Sequence, residues 1–138
     1  MKGAETWRRF ATSYKHVRLA FGSDIRSKLA QGMALVADTA ARTLGPGGRN
    51  VALEYEAGAP KITKDGVTVA KSIFFRDREL DLGSKLVKRV ANNTNVFAGD
   101  GTTSSALLSS SLVKAGVNAV ETQGAQPVSL RRGMEKAK

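Results

Sequence analysis

Phe97-Ala98-Gly99-Asp100-Gly101-Thr102-Thr103-Ser104 is the stretch on which the fold turns. Two glycines flank an aspartate, hydroxyl residues follow, and then Ala106, Leu107, Leu108, Leu112, Val113, Val117 and Val120 supply apolar side chains for a long helix. The pattern predicts a chain break at 97–101 and a helix after it, capped by Asp100 or Thr102. The apolar surface of that helix is wider than a simple amphipathic stripe, which predicts a place inside a helical layer. Further on, Gly124 suits the residue just past a helix end, and Pro127 suits the first turn of a last helix.

Towards the N-terminus, Leu82, Leu86, Val90 and Ala91 mark a helix over about residues 80–95. Ile25, Leu29, Met33, Val36, Ala40 and Leu44 recur at spacings of four, four, three, four and four, one stripe of an earlier helix. Ser23 or Asp24 can cap its start, and Gly45-Pro46-Gly47-Gly48 must end it, because proline disfavours helical dihedrals in the residue before it. Val51, Leu53 and Tyr55 then alternate with Ala52 and Glu54, and Lys61-Ile62-Thr63 follows a turn at Gly58-Ala59-Pro60, which together predict a hairpin. Asp65-Gly66 either turns the chain or caps a short helix through Val67, Ala70 and Ile73, and its β-branched content leaves both open. The expected class is mainly α with a small β-hairpin.

Composition bounds what such a fold can do. The chain has 138 residues, 41% hydrophobic and 25% charged, typical of a globular protein. It has no cysteine and a single histidine, His16, so any metal site would be built on oxygen. No apolar run approaches the ~18 residues needed to span a membrane. The net charge of +10 is uneven, for residues 1–22 hold five basic side chains against Glu5 alone. Trp7, Phe10 and Tyr14 can share a helical face there, and Arg8-Arg9-Phe10 resembles a matrix-processing site, so residues 1–20 read as a mitochondrial targeting segment. Without targeting, the location would be cytoplasmic. In the body, Arg76/Asp77, Arg78/Glu79 and Glu135/Lys136 intersperse both signs and aromatics are few. That argues against the alternative of a small basic nucleic-acid-binding protein.

Three loops carry the chemistry: Thr43 to Asn50, Thr63-Lys64-Asp65-Gly66, and Gly99 to Ser104. In the third, glycine lets backbone N–H groups approach a phosphate, hydroxyls can donate to its oxygens, and the following helix N-terminus is electropositive. Asp100 fits that place if a hard cation such as Mg2+ bridges the carboxylate and the phosphates. No Gly-Lys-Ser/Thr closes the loop, so it is not a Walker A loop. Taken singly, each loop also reads as an ordinary turn.

Taken in order, Thr-Leu-Gly-Pro-Gly-Gly-Arg-Asn-Val at 43–51, Lys-Ile-Thr-Lys-Asp-Gly-Val-Thr-Val-Ala-Lys at 61–71 and Ala-Gly-Asp-Gly-Thr-Thr at 98–103 resemble the group I chaperonins, the GroEL-like heat-shock chaperonins. Arg131-Arg132-Gly133 agrees, and Ala91 to Asn95 leans towards the mitochondrial branch. The resemblance runs from about Phe21 to Lys138. It implies that residues 21–138 are the N-terminal half of a helical equatorial ATP-binding domain. Leu44, Gly45 and Pro46 would cradle the nucleotide, and Lys64, Asp65 and Gly66 would lie near its phosphates and metal. Gly99, Gly101, Thr102, Thr103 and Ser104 would hold phosphate oxygens, and Asp100 would bind Mg2+, with K+ as a further candidate cation. Gly47 stands where the family usually has lysine, and Ser104 where it has threonine.

The resemblance further implies a homo-oligomeric ring, unfolded protein clients and a co-chaperonin, with neither nucleic acid nor membrane as partner. On the same reading the client-binding region and the water-activating aspartate lie in parts of a full subunit beyond this chain. The expectation is then ATP-dependent folding for the family and no hydrolysis by this chain alone. The remaining alternative is a truncated product without independent function.

Overall fold

The computed structural model describes residues 19–54 and 58–137. The targeting segment expected at 1–20 falls outside these residues except for Leu19 and Ala20, and so does Tyr55. In chain order the elements are α1 (Ser23–Ala41), β1 (Val51–Leu53), β2 (Lys61–Thr63), α2 (Gly66–Ser72), α3 (Arg78–Ala98), α4 (Thr102–Thr122) and α5 (Pro127–Lys136). The expected class holds: helices joined to one small antiparallel hairpin, with Val51 opposite Thr63 and Leu53 opposite Lys61.

Helices α1, α3 and α4 form the body, each packed on the other two. The α1 stripe read from the sequence is the core stripe, for Met33, Val36 and Ala40 meet Ala70 of α2, Val87 of α3 and Ala106 of α4. Ile73, Phe75 and Val113 close over this cluster. Where α1 crosses α3 the contact is backbone on backbone. A Cβ on Gly32 would strike the carbonyl of Leu80, with the carbonyl carbon 3.0 Å away. A Cβ on Gly83 would strike the carbonyl of Leu29, at 3.1 Å from its carbon. The two glycines thus bring the helices together closer than any side chain would allow. At the rim, Lys28 bridges Glu79 at 2.6 Å and Asp77 at 3.4 Å, and Arg26 meets Glu121 at 2.6 Å. These pairs are solvent-exposed and contribute register more than stability.

Helix ends differ from the sequence expectation in ways that have simple causes. Neither Ser23 nor Asp24 caps α1; Gly22 holds the N-cap position and no side chain bonds there. α1 stops at Ala41, short of the glycine-proline turn, because its exit tightens. The N–H groups of Arg42, Thr43 and Leu44 donate to Thr39, Ala40 and Ala41, three residues back. Asp65 does cap a short helix: its carboxylate accepts from Val67 N at 3.2 Å and Thr68 N at 3.0 Å. α3 is longer than expected at both ends, since the Asp77 carboxylate caps it by accepting from Glu79 N at 2.9 Å.

The capping expectation for α4 is overturned. Its N-cap is Gly101, in the left-handed region at φ 76°, and neither Asp100 nor Thr102 caps it. The expected burial of α4 is also corrected. Only Ala106 and Ser110 are buried on it, and Leu108 and Leu112 are 65% and 61% exposed. α4 lies on α1 and α3 by one face and leaves the opposite face open. α5 starts at Pro127 as expected and carries no buried residue.

Candidate functional site

The three glycine-bearing loops meet at one end of the helical body. The first leaves the C-terminus of α1, the second enters α2, and the third enters α4. Their meeting point is Gly66, which is buried. A Cβ there would overlap the Thr103 hydroxyl oxygen and stand 3.0 Å from Thr43 Oγ1 and 3.3 Å from Thr103 Cβ. One glycine from the second loop therefore touches a hydroxyl from each of the others.

The first loop is shaped by Thr43, whose buried hydroxyl donates to Ala40 O at 2.7 Å. Gly45 then adopts φ 73°, Gly48 N donates back to Gly45 O at 3.1 Å, and Arg49 N to Arg42 O at 2.8 Å. The result is a closed turn with Leu44, Gly45 and Pro46 facing solvent. In the second loop, Lys64 is exposed, and Asp65 N donates to Thr63 Oγ1 at 3.1 Å. The Asp65 carboxylate sits below its ordinary range because the Thr68 hydroxyl, and then the Thr68 and Val67 N–H groups, donate to it against the opposing effect of desolvation. Asp65 is thereby held to the first turn of α2.

The third loop is built differently. Gly99 and Gly101 both take positive φ, at 73° and 76°, and Asp100 stands between them, exposed. Asp100 Oδ1 accepts from Gly101 N at 2.6 Å, and Oδ2 has no partner among the described residues. The first intrahelical bond of α4 runs from Ser105 N to Gly101 O, so the N–H groups of Thr102, Thr103 and Ser104 precede the ladder. With no side-chain cap, those donors and the positive end of a 21-residue helix face outward.

Every residue expected from the sequence thus lies on one of the three loops. The structure joins the loops through Gly66, Thr103 and Thr43, while Leu44, Pro46, Lys64 and Asp100 make no hydrogen bond or ion pair with one another among the described residues. The first loop as read begins at Thr43, but the residues expected to cradle the nucleotide begin at Leu44 and leave Thr43 out; its hydroxyl, one residue ahead of the Leu-Gly-Pro turn, was the available signal. Among the described residues no three His, Cys, Asp or Glu side chains gather as a metal cage. Two cavities lie elsewhere, one of about 520 Å³ walled by Leu29, Met33, Leu86, Val90, Val113 and Val117, the other a small-residue groove along α1 and α4.

This arrangement, a helical body with glycine-turn loops gathered at one end, agrees with comparison to known proteins. Residues 36–138 match the TCP-1/cpn60 chaperonin family, and the chain belongs to that family. It is 50% identical over 125 residues to the mitochondrial chaperonin CPN60 of Euglena gracilis, covering 91% of this chain and 22% of that protein. It is 51% identical over 114 residues to the mitochondrial 60 kDa heat shock protein homolog 2 of Drosophila melanogaster, covering 83% and 20% respectively. Among solved structures it resembles the chaperonin gp146 from the bacteriophage EL 2 (Pseudomonas aeruginosa), crystallised in the presence of ATP-BeFx. That match has a TM-score of 0.61 at 35% identity, over 68% of this chain and 18% of that one. The chain spans about a fifth of the length of these curated relatives. It is of the mitochondrial group I type, and its family comprises chaperonins that bind ATP and Mg2+ and assemble into rings that act on protein clients.

Proposed function

We propose that the three loops form the phosphate and metal side of an ATP site, in an equatorial-domain segment of a ring chaperonin of the mitochondrial matrix. The observation that supports this reading is the contact at Gly66, which joins the loop of Leu44 to Pro46, the loop of Lys64 and the start of α4 through Thr43 and Thr103. Thr102, Thr103 and Ser104 offer backbone N–H groups and hydroxyls to phosphate oxygens. Gly99 and Gly101 lack the side chains that would keep a phosphate from this backbone, and exposed Lys64 supplies positive charge. Leu44, Gly45 and Pro46 give the nucleotide an apolar, solvent-facing edge.

The donor set also fits Mg2+. A single free carboxylate oxygen on Asp100, completed by phosphate oxygens and water, is how Mg2+ is usually held, in place of a cage of protein ligands. When bound there the ion would neutralise phosphate charge and fix its orientation. K+ is a candidate second cation at the same phosphates. Residues 21–138 are read as half of the equatorial domain and residues 1–20 as its targeting segment. Protein clients, a co-chaperonin and identical ring neighbours are the partners, and ATP-dependent folding the function of the whole assembly. Titration calorimetry of the chain with ATP, with and without Mg2+, tests the site. Binding strengthened by Mg2+ in the wild type and no longer strengthened in Asp100→Ala is expected. Absence of heat with either would overturn the reading.

A further inference from the structure

We infer that Gly66 is a positioning residue: its missing side chain sets the separation between α2 and the first turn of α4, and so fixes where the α4 donors stand. The inference deepens the proposed ATP site and rests on it for its functional meaning, but its structural content can be tested alone. The geometry is specific. Gly66 is buried at the first turn of α2 and has no positive φ, so the backbone there would accept alanine. What excludes alanine is the neighbour, for a methyl group would overlap Thr103 Oγ1 and crowd Thr103 Cβ at 3.3 Å and Thr43 Oγ1 at 3.0 Å.

These two threonines differ in how they can yield. The Thr43 hydroxyl is held by its bond to Ala40 O at 2.7 Å and is buried, so it stays. Thr103 is half-buried in the first turn of a helix, and its β-branch restricts it to few rotamers. A methyl group on residue 66 is therefore relieved by moving Thr103 as a whole, backbone included. Thr102 to Ser104 move with it, and misplacing ligand donors by an ångström can cost on the order of a hundredfold in function. α2 is held by the burial of Val69 and Ala70, whereas Thr102 and Thr103 are half-buried and Ser104 is exposed, so the displacement falls on the first turn of α4.

The test is a substitution cycle of Gly66→Ala, Thr103→Ser and the double variant, with Gly133→Ala as a control at an open helical site in α5. Serine keeps the hydroxyl but, without the β-branch, can turn it away from the added methyl. Hydrogen exchange of the Ser105 amide, the first N–H bonded in the α4 ladder, and of those at 106–108 is read in the nucleotide-free protein. Gly66→Ala is expected to speed it on the order of tenfold, the double variant to return it towards Thr103→Ser, and the control to leave it unchanged. MgATP affinity should fall on the order of tenfold in Gly66→Ala and recover in the double variant. Wild-type exchange in Gly66→Ala, or a double variant as perturbed as the single one, overturns the inference. If Gly66→Ala does not fold, recovery of cooperative melting in the double variant supports it, and failure of both to fold overturns it. This exchange pattern across the cycle, together with a wild type that does not bind MgATP, would overturn the proposed site and leave the positioning role standing.

Discussion

Two junctions in this molecule are closed by glycine, and they differ in what stands opposite. At the α1–α3 crossing, Gly32 and Gly83 face the carbonyls of Leu80 and Leu29, which belong to helix backbones and cannot turn away. At the α2–α4 junction, Gly66 faces hydroxyl-bearing side chains, one of them at the start of a helix. The first junction fixes the body; the second leaves a contact that yields by a small shift of one helix turn. A rigid helix crossing and a yielding contact between helix ends are different properties, and the same residue type supplies both.

The comparison can be broken most directly at the crossing. Gly83→Ala should destabilise the fold by about 2–3 kcal/mol despite the gain of about 1 kcal/mol in helix propensity, because two backbones must separate. Urea unfolding measures this, and a neutral result would remove the rigid side of the contrast. Gly66→Ala should cost less, about 1 kcal/mol, since only one helix turn must shift. Next comes Asp77→Ala, which removes the α3 cap and should lower the urea midpoint by less than Gly83→Ala does.

The Asp65 cap adds a pH dependence. Its folded-state pKa lies below the ordinary 3.8, so its contribution is fully present above that value and is lost as pH falls through the lower folded-state one. Asp65→Asn should flatten stability in that acid range when thermal melts are compared between pH 5 and pH 2, on the order of the cap's contribution. The smallest effect is expected on the open face of α4. Leu108→Gln should change stability by no more than about 0.5 kcal/mol, and a large loss would show that this face is covered after all.

Much of the body was legible in the residues. Of the stripe from Ile25 to Leu44, Met33, Val36 and Ala40 are buried on α1, Ile25 and Leu29 are half-buried and Leu44 is exposed past its end; the alternation at 51–53 is a strand, and Pro127 opens the last helix. The crossing was not legible, because Gly32 and Gly83 inside helical patterns register only as weak propensity. Their meaning depends on a partner backbone tens of residues away. The short helix α2 stayed open for a related reason: Val67, Thr68 and Val69 favour strand locally, and it is the Asp65 cap and the burial of Val69 and Ala70 that settle it. The α4 entry misled because aspartate and threonine are strong caps in general, whereas here Asp100 turns its oxygen to Gly101 N and glycine takes the cap position. For the site, motif order identified the loops, but the contact between Thr43, Gly66 and Thr103 arises only when three helix ends come together.

The ion pairs at the rim bear on how the chain assembles. Lys28 and Asp77 are 49 residues apart, and Arg26 and Glu121 are 95. Loop-closure entropy rises only with the logarithm of length, about 0.6 kcal/mol per doubling, so distance along the chain barely separates docking of α3 on α1 from docking of α4. What separates them is contact, and the reciprocal glycine crossing gives α1 and α3 the more intimate surface. The expected folding nucleus is therefore that helix pair, with the hairpin and α2 looped out between its arms and the three glycine-bearing loops acquiring their final form last.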